Sequence, residues 1–294
     1  MDFIFKPFMF TNDLVEEPVE VVVNAGDLPW PTDAILCVPP LGVQVTLHEQ
    51  AECLATQAFL RMHGLKFVLD ERSNAEFISV SGKLPLLKVE NHFVAGFDAI
   101  TAYARLRIRQ QLTNEQEGSI RPYVEMIQIT VKNAELYAAW LDDANYKAVT
   151  KDRYGSPYPA PLNKILPFLK RLQIKAYLME MSPLRSIEDV RESLLSDLRA
   201  LSERLGPRPY FLDDVHTNEL DALAFGHLSA LLTCHLPEGN LSELVQRHQN
   251  LVAFCQRVDR LFFAKELGLN TELYNATVVT GMRRLPPMLI KSDI

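Results

Sequence analysis

Apolar residues recur at helical spacing through most of the second half of the chain, most densely across residues 217–232. Leu220, Leu223, Ala224, Leu228, Leu231 and Leu232 form one face, and Ala222, Phe225 and Ala230 make the other face apolar too. Between Asp221 and Glu238 no residue carries a permanent charge. A helix apolar all round is buried all round. This one falls short of the roughly 20 residues that a bilayer span needs. It is therefore predicted as the central helix of a helical domain. Asn218 and Asp221 are placed to cap its start by exchanging hydrogen bonds with free N–H groups.

The upstream pattern is mixed. Residues 43–47 alternate like a strand. Residues 48–62 carry Ala51, Leu54, Ala55, Ala58, Phe59 and Met62 at helical spacing, and Gly64 is placed to end that helix in a left-handed cap. Residues 65–69 read as a second strand, which predicts a parallel pair with a right-handed crossover. Residues 81–94 read as a hairpin turning at Glu90–Asn91, and 97–111 as a helix. The order β-α-β then β-β-α is that of a thioredoxin-like domain. Before it, Pro18, Pro29, Pro31, Pro39 and Pro40 predict an irregular lead-in with a short strand at 19–23.

The polar stretch 112–118 reads as an inter-domain link, followed by a long helix over 120–142. Residues 153–163 are broken by prolines and read as an extended connector with inward tyrosines; a recognition edge is the other reading. A helix over 163–181 is expected to be disturbed at Pro167. Ser186 and Asp189 cap the next, with Gly206 closing it. Residues 241–263 supply the last helices. Asn250 is expected to cap the second, burying Leu251, Phe254, Cys255, Val258 and Leu261. The predicted layout is an arm and lead-in (1–42), a thioredoxin-like domain (43–111), a helical domain (119–267) and a tail (268–294).

Composition narrows the function. A net charge of -7 over 294 residues offers no basic surplus for nucleic acid. Arg105, Arg107 and Arg109 read as a solvated face. The four cysteines, Cys37, Cys53, Cys234 and Cys255, have no CxxC spacing and read as reduced thiols. The histidines make no zinc pattern. His227 and His235 could share a helix face, but a core or interface role is the expectation, and no metal or cofactor site is predicted. The N-terminal arm contains Phe3, Phe5, Phe8 and Phe10. It either packs on its own fold or docks on a partner or lipid, since such residues are costly to leave in water. These four are the candidate partner-binding residues, and a protein partner is preferred over lipid because the arm lacks a basic cluster to attract anionic headgroups.

Gly82-Lys83-Leu84-Pro85 resembles the glutathione-transferase segment whose proline is cis, and the Asn218–Asp221 cap resembles that superfamily's capping box. Three further motifs, Arg153-Tyr154-Gly155-Ser156-Pro157-Tyr158-Pro159, Leu220-Asp221-Ala222-Leu223-Ala224-Phe225-Gly226-His227-Leu228 and Asn250-Leu251-Val252-Ala253-Phe254-Cys255, occur in the order seen in metaxins. The metaxin resemblance covers roughly residues 43–265. It implies a glutathione-transferase-like fold on the cytosolic face of the mitochondrial outer membrane. It also implies a non-catalytic role in the sorting and assembly machinery that inserts β-barrel proteins, and a link to mitochondrial transport along microtubules. The implied partners are an anchored metaxin-1-like subunit and an outer-membrane β-barrel assembly protein, with peripheral membrane attachment. The alternative is a glutathione-dependent transferase. Where a transferase places its Ser, Tyr or Cys, this chain has Leu47-His48-Glu49-Gln50, with only Thr46 nearby. Catalysis is therefore not expected. Pro85, Asn218 and Asp221 are assigned structural roles.

Overall fold

The computed structural model describes residues 28–263, apart from 41–43, 74, 79–80, 91 and 109–111. The arm with Phe3, Phe5, Phe8 and Phe10, the expected strand at 19–23 and the tail 268–294 lie outside the described residues.

The sheet domain runs β1 (Ile35–Val38), α1 (Leu47–Met62), β2 (Val68–Glu71), α2 (Ala75–Ile78), β3 (Leu86–Val89), β4 (His92–Ala95) and α3 (Phe97–Arg105). The strand order is β2-β1-β3-β4, with β1 parallel to β2 and the other pairs antiparallel. The Leu84–Pro85 bond is cis, and the Pro85 carbonyl accepts the Gly96 N–H at 2.8 Å.

The first strand lies at Ile35–Val38, inside the expected lead-in, and the described residues 44–47 form no strand. Leu36, Cys37 and Val38 are all buried, so this central strand reads as a continuous apolar run without alternation. The apparent alternation at 43–47 leads into α1: Val45 and Leu47 pack inward, and Thr46 is the N-cap. The second strand likewise begins later than predicted, at Val68.

The helical domain begins inside the stretch read as a link. Thr113 caps α4 (Asn114–Met126): its hydroxyl accepts from Gln116 N at 3.2 Å, and the Gln116 side chain accepts from Thr113 N at 3.0 Å. The rod continues through a π-helical segment (Ile127–Val131), α5 (Lys132–Leu136) and another π-helical segment (Tyr137–Leu141). After α6 (Asp143–Asn145) and a π-helical segment (Tyr146–Thr150) comes α7 (Lys151–Gly155). Arg153, Tyr154 and Gly155 are thus helical, and the extended connector does not form there. Each Pro in 157–161 follows the last turn of α7, where a missing N–H breaks nothing.

Then come α8 (Leu162–Met181), α9 (Ile187–Leu205), α10 (Glu219–Thr233), α11 (Leu241–Gln246) and α12 (Gln249–Phe262). Pro167 lies within α8. Asn250 does not cap α12, which starts before it. Its side-chain amide instead donates to the carbonyls of Ser202 (2.9 Å) and Gly206 (3.2 Å), closing the end of α9. Leu261, expected in the core, is 56% exposed. Helix α10 is buried from Glu219 to Leu232 and packs along α1, so the central helix of one domain is also the seam with the other.

Candidate functional site

Thr46, the hydroxyl nearest the position where the sequence places a transferase's nucleophile, is taken up in the cap of α1. The Thr46 hydroxyl donates to Glu49 Oε2 at 2.9 Å, and the Thr46 N–H donates to the same oxygen at 3.1 Å. Glu49 is held above the usual carboxylate range, by burial first and by the Glu76 charge second. Glu76, on α2, pairs with Lys170 from α8 and accepts from the Tyr154 hydroxyl at 2.9 Å. Burial and the two carboxylates also push Tyr158 up to about 12. No nucleophile is lowered in this cluster. It joins the two domains and leaves Thr46 bound within its own cap.

A second cluster lies deeper in the same seam. Helix α1 supplies His48 and Glu52, α5 supplies Glu135, and α10 supplies His227. The Glu135 carboxylate bridges both rings, with His48 Nδ1 at 3.1 Å and His227 Nδ1 at 2.9 Å. Glu135 is fully buried and His227 is 1% exposed. Burial disfavours the Glu135 carboxylate, but the two imidazoles outweigh it and lower its pKa. Burial likewise opposes a charged His227, yet Glu135 and then Glu52 raise it, against Lys132. His235 is exposed and lies beyond the end of α10, so it does not share a helix face with His227.

This cluster could hold a cation or an ion-pair network, and the sequence reading missed it. Its four members come from three helices. The signals available were the i,i+4 spacing of His48 and Glu52 and a lone histidine in an otherwise apolar helix.

The structural assignments have clear geometry. Asn218 Oδ1 accepts from Leu220 N at 2.8 Å, while Asp221 accepts from Asn218 N at 2.9 Å and from Phe211 N at 2.8 Å. Asp221 thus ties the incoming loop to the helix as well as capping it. The arginines at the end of α3 are engaged: Arg105 pairs with Glu117 at 2.9 Å and with Glu219, and Arg107 lies 3.7 Å from the Tyr103 ring centre. Arg109 lies outside the described residues. The solvated face expected of these residues is therefore corrected for Arg105 and Arg107.

Arg105 also borders a cavity of about 270 Å³ shared with Phe59, His63, Leu212 and Asn218. Burial first, then the Arg105 charge, lowers His63 from 6.5 to about 4. The folded chain keeps this ring neutral, so on acidification the unfolded chain binds the proton first. Its stabilising contribution is complete above pH 6.5 and is lost as pH falls towards 4. Discounted for partial exposure, the loss is about 2 kcal/mol. In thermal melts at pH 7.5 and pH 4.5, His63→Gln should lose less stability between the two than wild type. An equal loss in both proteins rules His63 out as the source.

A thioredoxin-like sheet domain joined to a helical domain through a capped central helix defines the glutathione-transferase-like class. The β-etherase LigF from Sphingobium shares this fold: its crystal structure aligns at a TM-score of 0.53 and 15% identity, covering 80% of this chain and 98% of that chain. Residues 194–258 match the glutathione S-transferase C-terminal domain family, and residues 53–171 match the family described as outer mitochondrial membrane transport complex protein. Metaxin-2 of Homo sapiens is 38% identical over 254 residues, covering 85% of this chain and 96% of that protein. The metaxin-2 homolog of Caenorhabditis elegans is 37% identical over 205 residues, covering 68% of this chain and 89% of that protein. Metaxin-3 of Danio rerio is 31% identical over 296 residues, covering 94% of this chain and 88% of that protein. The chain belongs to the metaxin family.

Proposed function

We propose that this protein is a non-catalytic subunit of the outer-membrane machinery that supports import and insertion of β-barrel proteins. In this reading it is held on the cytosolic face by a membrane-anchored, metaxin-1-like partner. The observation that carries the reading is an apolar stripe on α8 that stays exposed among the described residues. Ile165 (45% exposed), Phe168 (56%), Leu172 (45%) and Met179 (64%) follow helical spacing on its outer side. Such a stripe suits the apolar face of a partner helix. Two further observations support it. No helix among the described residues is long and apolar enough to cross a membrane, and relatives named metaxin-1 match this chain at 27–28% identity. The Thr46–Glu49 cap supports the absence of a transferase reaction.

The test is co-purification of the full chain with an anchored metaxin, comparing wild type with Phe168→Glu and Leu172→Glu. Both side chains are exposed, so the variants should melt as wild type does while losing the partner and their place on mitochondria. Retention of the partner by both variants removes α8 from the interface. Elution of wild type from immobilised glutathione by free glutathione would favour the transferase reading instead.

A further inference from the structure

We propose that the seam cluster is a binding site for a divalent transition-metal ion. In this site His48, His227 and Glu52 are the ligands, and Glu135 orients both rings. The inference starts from tautomers. Both imidazoles direct Nδ1 at Glu135, at 3.1 and 2.9 Å, so in neutral rings the lone pairs lie on the Nε2 atoms. Both Nε2 atoms are 4.0 Å from one oxygen, Glu52 Oε1. The Nε2 of His227 is buried and has no hydrogen-bond partner. A buried polar atom left this way calls for an ion or a water. Imidazoles that give one nitrogen to a carboxylate and present the other to a metal are the usual outer-shell arrangement of such sites.

The donor set fits zinc and its neighbours. Two imidazoles and a carboxylate are ligands that these ions accept. Metal–ligand bonds of about 2.1 Å in a tetrahedron put ligand atoms about 3.4 Å apart. Each 4.0 Å gap must therefore close by about half an ångström. His48 and Glu52 can supply that movement, because their side chains are 15% and 17% exposed while His227 is fixed in the core. Their exposure also gives the ion a way in. The carboxylates of Glu52 and Glu135 offset its charge. Because α1 belongs to one domain and α10 to the other, a bound ion would fasten the seam. A bare ion-pair network satisfies Glu135 but leaves His227 Nε2 without a hydrogen bond, 4.0 Å from the Glu52 carboxylate.

The test uses the full chain, without a histidine tag, stripped with chelator and then titrated with Zn²⁺ against a chromophoric competitor. Co²⁺ absorption provides a second readout. Wild type should bind one equivalent, with a tetrahedral Co²⁺ spectrum. His48→Gln and Glu52→Gln should each weaken binding at least tenfold, while the metal-free variants melt close to wild type. Glu135→Gln should keep the stoichiometry and lose 10–100-fold in affinity, the size expected for an outer-shell partner. Absence of a stoichiometric site in wild type, or full affinity in both His48→Gln and Glu52→Gln, overturns the proposal.

Discussion

Replacing Gly226 with alanine is expected to lower the melting temperature by about 10 °C. Gly226 lies where α10 crosses α1 backbone against backbone. A Cβ there would come 2.4 Å from the Ala51 carbonyl oxygen and 2.5 Å from the Ala55 nitrogen. Both are backbone atoms of another helix, so no side-chain rotation relieves the clash. Either the helices separate or the backbone bends. Overpacking in a core costs about 1–3 kcal/mol, and more when backbone must move. We expect at least the upper figure, and about 2–4 °C per kcal/mol at this chain length gives the shift. Gly118 is the control. It lies in α4, and a Cβ there meets nothing within 4 Å. Gly118→Ala should hold or raise stability, since alanine favours the helix by up to about 1 kcal/mol. If Gly226→Ala melts within a degree of wild type, the α1–α10 seam is looser than this geometry requires.

Asp221→Ala is expected to cost about 3 kcal/mol. Losing the cap contributes about 0.5–2 kcal/mol. The buried Phe211 N–H, now without an acceptor, adds about 1–3 kcal/mol. The pH dependence has a definite sign. Burial, opposed by the N–H donors of Phe211 and Asn218, pushes the Asp221 carboxyl from 3.8 up to about 7. Between those values the folded chain holds a proton that the unfolded chain has released. The residue's contribution is therefore fullest below pH 3.8 and declines as pH rises towards 7. The melting-temperature gap between wild type and Asp221→Ala should narrow from pH 5 to pH 8. A constant gap would mean that the carboxyl is ionised throughout. No gap at all would remove the cap from the stability of α10.

The capped central helix was legible in the sequence because its signals are local. An Asn–Asp pair three residues apart opens an uncharged, apolar-all-round run, and both the cap and the burial follow from that spacing. The hairpin and the start of α3 were readable for the same reason. The first strand was not. Ile35–Val38 is covered on both sides, so it lacks the alternation that marks a half-buried strand, while residues 43–47 mimic that alternation on their way into a helix cap. The helical form of Arg153–Gly155 also escaped, because the prolines at 157, 159 and 161 lie past the last turn of α7 and break no hydrogen bond there. Asn250 looked like a cap by its neighbours, but the end of α9 captures its amide. Local spacing alone states which helix is central and how it starts. The seam was decided only by tertiary structure. His48, Glu52, Glu135 and His227 are scattered over 180 positions, and only the crossing of α1 and α10 at Gly226, with α5 packed against α1, brings them together.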